Sequence, residues 1–272
     1  MTDLVVRRLL IDLHAPFERH WAGGDAFRSA FFDALSMSFP VGEQFFIDAV
    51  RAGVQRLPPA ERTRLDTEVR GFIGQEATHR RIHALFNGHL EGQGYDNAWE
   101  RRTLRRIARL QGVDVRHPVA VTAAIEHFTA ILAEWILSHP EALVGAEPRL
   151  RTLWSWHAAE EAEHRSTAFD LYRALGGNQR WRLRWFRLIT FHFLTDALRQ
   201  TLSNLRRDGM LWRWNTWRSG ARFLFGRGGL VRETYRPWRA YKRRDFHPRQ
   251  HGSERGAQWL RENSAQFTEV QR

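Results

Sequence analysis

The 272-residue chain contains no cysteine. That excludes disulfides, zinc–thiolate sites, iron–sulfur clusters and thiol nucleophiles, and it suits a reducing cytoplasm. No apolar run reaches the roughly 18 residues expected of a membrane-spanning helix. The opening MTDLVVRRLLIDLH has neither a long apolar core nor a small-residue cleavage site, so no secretory leader is expected. No alternating pattern reads as a strand ladder, and no segment is of low complexity. A nucleophile elbow, a Ser-His-Asp pattern and a glycine-rich phosphate loop are all missing, which leaves metal-free acyl or phosphoryl chemistry without support.

Acidic charge is scarce in one region. Between Arg180 and Arg244 there are 17 Arg and Lys against 3 Asp and Glu, a net +14, which leaves −2 for the rest of a chain whose total is +12. Six of the 12 tryptophans lie in the same stretch. The charge therefore belongs to a segment and not to the whole surface.

What is present is helical periodicity. With 43% apolar residues the chain can bury a substantial core, in one large or two modest domains. Residues 1–24 read as an irregular N-terminal arm, 25–178 as a helical bundle, and 179–272 as a basic Trp/Arg-rich helical extension packed on it. Within the bundle, the helical pattern from Asp25 is interrupted by Pro40 and Gly42, which should kink or break it. A second helix or helix pair opens at Pro59, and a basic amphipathic connector follows from Asn97. A nearly all-apolar helix lies between two prolines, 118 and 140. The stretch from Glu147 to a glycine stop at 176 reads as a fourth long helix.

HAAEEAEHR, residues 157–165, places two histidines and three glutamates inside that fourth helix. At about 100° per residue, His157, Glu161 and His164 share one face with Leu150, Trp154 and Ala168. Glu160 lies on the flank as a substitute or helper for Glu161, and Glu163 points nearly opposite. An isolated buried charge is very costly, so such a face must be paired, protonated or bound to a cation.

Glu161 and His164 form a Glu-x-x-His pair, and QEATH supplies another in Glu76 and His79. Each is preceded by a lone glutamate in an apolar helix: Glu43 stands 33 residues before Glu76, and Glu126 stands 35 before Glu161. This order is the ligand pattern of a ferritin-like four-helix bundle holding two metal ions. An i, i+3 pair sets carboxylate and imidazole side by side on one helix face. Four carboxylates carry −4, which two divalent cations neutralise. The 50 residues between Glu76 and Glu126 leave room for a crossover. His83 and His157 flank the two pairs on the same faces, as additional ligands or as hydrogen-bonding partners of the ligands. His127 points away from Glu126 and reads as structural. The competing reading is of unrelated helix-surface pairs. Mixed nitrogen and oxygen ligation without thiolate suits iron, with manganese or zinc as alternatives.

The segments LSMSFPVGEQFFIDAVR, FIGQEATHRRIHALFN, AAIEHFTAILAEWIL and WHAAEEAEHR resemble the bacterial family of predicted metal-dependent hydrolases, over roughly residues 5–250. DFHPR around His247 resembles a proline–histidine element near that family's C-terminus. The resemblance implies that Glu43, Glu76, His79, Glu126, Glu161 and His164, with His83 and His157, form the site.

The expected fold class is all-α, a ferritin-like four-helix bundle with a basic helical C-terminal extension. The favoured function is a di-iron, oxygen-dependent oxidoreductase acting on a small hydrophobic substrate, with an electron donor the sequence does not name. A metal-dependent hydrolase using a metal-bridging hydroxide is the alternative, and a non-enzymatic iron-binding protein the third reading. In the basic segment, Phe191, Leu194, Leu198, Leu202 and Leu205 share one helical stripe among arginines and tryptophans. That mixture suits packing on the bundle together with an anionic membrane surface, met through residues 181–241. Nucleic acid is the weaker partner, and a homodimer is compatible with the sequence. The expected location is cytoplasmic, peripheral on the inner membrane surface.

Overall fold

A computed structural model describes residues 4–270. Among the described residues the protein is all-α apart from one short pair of strands. The first long helix, α1 (Ala26–Val54), starts where the Asp25 carboxylate accepts from the Arg28 amide. It runs unbroken through Pro40 and Gly42, contrary to the expected interruption. Proline removes one amide and so frees the carbonyl four residues earlier. The Asn87 side-chain amide donates to that Ser36 carbonyl at 3.0 Å, and the continuity has this physical reason. A single helix α2 (Pro59–Gly92) follows, with proline at its first position. After α3 (Ala98–Ala108) come the apolar α4 (Arg116–Ser138) and then α5 (Pro148–His164) and α6 (Thr167–Ala174).

The expected fourth long helix is thus two. The chain turns at Arg165 and Ser166, where no proline or glycine marks a break. The Arg165 side chain donates from Nε to the Ala162 carbonyl at 2.7 Å and satisfies one of the groups the turn frees. The basic segment forms α7 (Gln179–Arg207), α8 (Trp214–Phe225) and α9 (Leu230–Ala240), and α10 (Arg255–Glu262) follows. Helix α7 lies across α1 and α4, α8 on α1, and α9 on α4. Of its apolar stripe only Leu205 is fully buried; Phe191, Leu194 and Leu198 are more than half exposed. Helix α4 is long and apolar enough to cross a membrane, yet 83% of its most apolar stretch is buried inside the fold.

The N-terminal arm is not irregular throughout. Strand β1 (Arg7–Leu9) pairs antiparallel with β2 (Phe267–Glu269), Arg7 opposite Glu269, which corrects the expectation of no strand pairing. The preceding residues lie on α2, where Leu4 covers Gly71 and Val6 covers Gly74 so closely that a Cβ on either glycine would collide with them.

Two apolar cores divide the helices along their length. One holds Phe32 and Phe39 of α1, Phe86 of α2, Ile136 of α4 and Trp154 of α5. The other holds Val50 of α1, Phe72 of α2, Val119 of α4 and Phe169 of α6. Helices α1 and α5 run from the first core towards the second, and α2 and α4 run the opposite way. The two like-directed helices, α2 and α4, are joined by the connection containing α3 and pack on α1 and α5, not on each other. Between the two cores, each of the four helices presents a short polar layer.

Candidate metal centre

The polar layer consists of Glu43 from α1, Glu76, His79 and His83 from α2, Glu126 from α4, and His157, Glu161 and His164 from α5. All eight side chains are buried. Their candidate donor atoms fall into overlapping groups whose members lie within 4.8 Å of one another: Glu43 with Glu76 and His79, Glu76 with Glu161 and His164, His79 with His157 and Glu161, and Glu43 with His83 and His157. Glu126 joins through His164, whose Nε2 is 3.4 Å from its Oε2. The same nitrogen is 3.1 Å from Glu76 and 3.4 Å from Glu161, without making a directed hydrogen bond to any of the three.

The outer nitrogens of the histidines are held. His164 Nδ1 donates to Gln75 Oε1 at 2.9 Å, because the Gln75 amide nitrogen is already donating to the Val5 carbonyl and to Glu163. That leaves His164 Nε2 facing the glutamates. His79 Nε2 donates to Glu160 at 2.9 Å, which leaves Nδ1 turned inward without a partner. Glu160 and Glu163 are both bound by Arg7, at 3.1 Å and, bidentately, at 2.7 and 3.1 Å. One guanidinium on β1 thus supports the imidazoles of both Glu-x-x-His pairs. Glu160 belongs to this outer ring and takes no place among the eight inward groups.

A second chain of contacts begins at the Ser36 carbonyl that Pro40 leaves free. Asn87 donates its amide to Ser36 O and accepts the Ser36 hydroxyl at 2.8 Å. The Ser36 oxygen accepts from His83 Nδ1, also at 2.8 Å. His83 Nε2 accepts from His157 Nδ1 at 2.6 Å. His157 Nε2 then meets Glu161 Oε1 at 2.9 Å, a lone pair against a carboxylate. That contact requires a proton or a cation between them.

The electrostatics point the same way. Burial, then repulsion from Glu76, Glu161 and Glu126, pushes the Glu43 carboxyl well above its usual range. Burial, then Glu161, does the same to Glu126. Burial raises Glu76 as well, partly offset by His164. Glu161 is held well below the ordinary value, its burial outweighed by His164 and His157. His164 lies well above, its burial outweighed by Glu161 and Glu126. His79 and His83 are pushed well below by burial and then by His157. A cation-free layer therefore holds protons in place of positive charge.

Whether the residues fit a metal is decided by their unpartnered atoms. Seven buried carboxylate oxygens, from Glu43, Glu76, Glu126 and Glu161, have no hydrogen-bond partner, and neither do His79 Nδ1 and His164 Nε2. Buried acceptors in native proteins are almost always satisfied, so this concentration fits hard or borderline divalent cations.

The profile of the family described as predicted metal-dependent hydrolases matches residues 5–252. The chain belongs to that family. No curated protein and no solved structure matches it.

In this family member the residues singled out from the sequence come together, while His247 does not join them. It lies outside the layer, 2.7 Å from Asp170. His127 is also apart, with Nε2 3.1 Å from the Pro237 carbonyl and its pKa lowered to about 3 by burial. Sequence reasoning did not find Arg7, Ser36 or Asn87. Gln75 and Glu163 were visible beside the two motifs, but only their contacts reveal what they do.

Proposed function

We propose that the chain is a metal-dependent hydrolase with a two-metal centre in a ferritin-like bundle. The observation that carries this is the layer of unpartnered carboxylate oxygens and inward imidazole nitrogens, in a chain of the predicted metal-dependent hydrolase family. Glu43, Glu76, His79, Glu126, Glu161 and His164 are the proposed ligands, and His83 and His157 adjoin them. Bound divalent ions supply Lewis acidity that polarises an ester, amide or phosphoryl oxygen. The chain's residues do the rest. Gln75 and Glu160 fix the tautomers of His164 and His79. His157 is fixed between its neighbours, with Nδ1 2.6 Å from His83 and Nε2 2.9 Å from Glu161, which orients it at the edge of the layer. The flanking apolar cores exclude water from both ends of the layer.

One observation favours a second reading. Two Glu-x-x-His pairs with two lone glutamates, on helices of this direction, are also the donor set of di-iron oxygen chemistry. Metal analysis with turnover assays separates the readings. A hydrolase is expected to carry two divalent ions per chain and to turn over esters equally well without dioxygen. Turnover that requires iron, dioxygen and a reductant would overturn it in favour of the oxidoreductase. Glu76→Ala or Glu161→Ala should lose at least one ion per chain, and unchanged metal content in both would remove the ligand assignment.

A further inference from the structure

Helices α7, α8 and α9 do not close over the bundle. They leave a cavity of about 430 Å³ against the outer faces of α1 and α4, within the range of roughly 300–1,000 Å³ usual for small-ligand sites. It lies in the most basic part of the chain, yet none of its lining side chains carries a charge. Leu194, Leu198 and Leu202 line it at four-residue steps along α7, about 12 Å of helix. The result is a strip, not a round pocket, and Leu194 and Leu198 are 56% and 58% exposed along it. The Thr201 hydroxyl also lines it, buried and without a partner.

The cavity leads towards the polar layer. A second space of about 20 Å³ is bounded by Phe39, Thr129, Leu132, His157 and Glu161. Leu132 of α4 belongs to both walls and is only half-buried. Leu132 is thus the residue shared by the linings of the elongated apolar cavity and of a small space that also touches two groups of the candidate metal centre.

We propose that this cavity binds the acyl chain of a lipid ester, with Leu132 as the partition through which the ester end reaches Glu161 and His157. The ester part of this inference rests on the hydrolase reading. In the reaction, water adds to the acyl carbon, the acyl C–O bond breaks, and the departing alkoxide takes up a proton, giving a carboxylic acid and an alcohol. A narrow strip without charge suits an unbranched hydrocarbon, and the buried, unpartnered Thr201 hydroxyl suits a polar group along it.

The test uses parinaric acid, an 18-carbon fluorescent fatty acid, with the full-length protein in metal-free and metal-loaded form. Trp217 and Trp238 line the cavity, so bound probe should emit when tryptophan is excited. Saturable emission is expected in both forms. Leu198→Asp, at an exposed position, and Ala197→Trp, which fills the strip, should each weaken binding at least ten-fold with unchanged circular dichroism. Competing fatty acids should lose about four-fold in affinity for each methylene removed. Absence of saturable binding, or binding unchanged in Leu198→Asp, overturns the proposal. So does adsorption to anionic vesicles with no uptake of the probe. Probe binding without ester turnover at any metal loading upholds the chain-binding site and overturns the hydrolase reading alone. With turnover, Leu198→Asp should raise KM for a laurate ester about ten-fold and leave an acetate ester unchanged.

Discussion

Arg7 reaches Glu160 and Glu163 from 153 and 156 residues away in sequence. Those two carboxylates are next to the metal-ligand candidates without being among them, and through Glu160, Glu163 and Gln75 the guanidinium bears on both inward-facing histidines. Arg7→Met should leave Glu160 buried without its counter-charge and let both imidazoles turn. The expected outcome is a 10- to 100-fold loss of metal affinity, the usual scale for partners of ligating histidines, measured by competition with a chelator. Arg7→Lys keeps the charge but loses the bidentate fork, so it should fall between the two. Metal affinity unchanged in Arg7→Met would show that the histidines are held by packing alone. The glutamates and histidines were legible in the sequence because helical spacing alone puts i and i+3 on one face. Arg7 was not, because nothing local in RRL distinguishes a surface arginine from one drawn under by two distant acids.

At the scale of the helix, the sequence erred where a tertiary contact overrides a local rule. Pro40 reads as a break, but a side chain on α2 satisfies the carbonyl it frees. The join between α5 and α6 was invisible because apolar periodicity continues across Arg165 and Ser166, and the turn is stabilised by a side chain of the turn itself. Asn87 has two tasks, completing the backbone of α1 and accepting the Ser36 hydroxyl that orients His83. Asn87→Leu removes both, leaving the buried Ser36 carbonyl without a partner and the Ser36 hydroxyl without its acceptor. It should cost about 1–3 kcal/mol of stability, read by urea denaturation. A loss below the error of the measurement would mean that water replaces the amide and that Pro40 is tolerated for another reason.

For the whole molecule, the buried layer sets how stability responds to pH. Glu43 and Glu126 bind protons more tightly folded than at their ordinary value of 4.5, and His164 more tightly than at 6.5. As pH rises past those values the unfolded chain gives up its protons first, and the folded state loses the advantage of holding them. His79, His83 and Glu161 are shifted the other way, so their contribution grows with pH but is complete once pH exceeds 6.5. Above pH 6.5 the metal-free protein should therefore melt at steadily lower temperature, and divalent metal should abolish the slope. A flat profile without metal would mean that the layer is hydrated. The outer surface makes a separate expectation. Trp212 and Trp214 are 89% and 77% exposed within the +14 stretch, a combination that favours anionic lipid. Flotation with anionic vesicles should succeed at low salt, weaken as salt is added, and weaken in Trp212→Ala with Trp217→Ala. Failure to float at low salt would end the membrane reading.

The clasp between β1 and β2 also has a consequence in time. Arg7 lies opposite Glu269, with its guanidinium 5.6 Å from the centre of the Phe267 ring, so the arm is pinned by residues synthesised some 260 positions later. The helices bearing the inward ligands can pack long before then, since α6 ends at Ala174. During synthesis there is an interval in which the metal layer is assembled but its histidines are not yet steadied by Arg7. On the proposed metal centre, an ion that entered during that interval would be held loosely and locked only when the final clasp closed. A chain ending before Phe267 should therefore fold its helices and exchange its metal quickly, as a permanent copy of that unfinished stage.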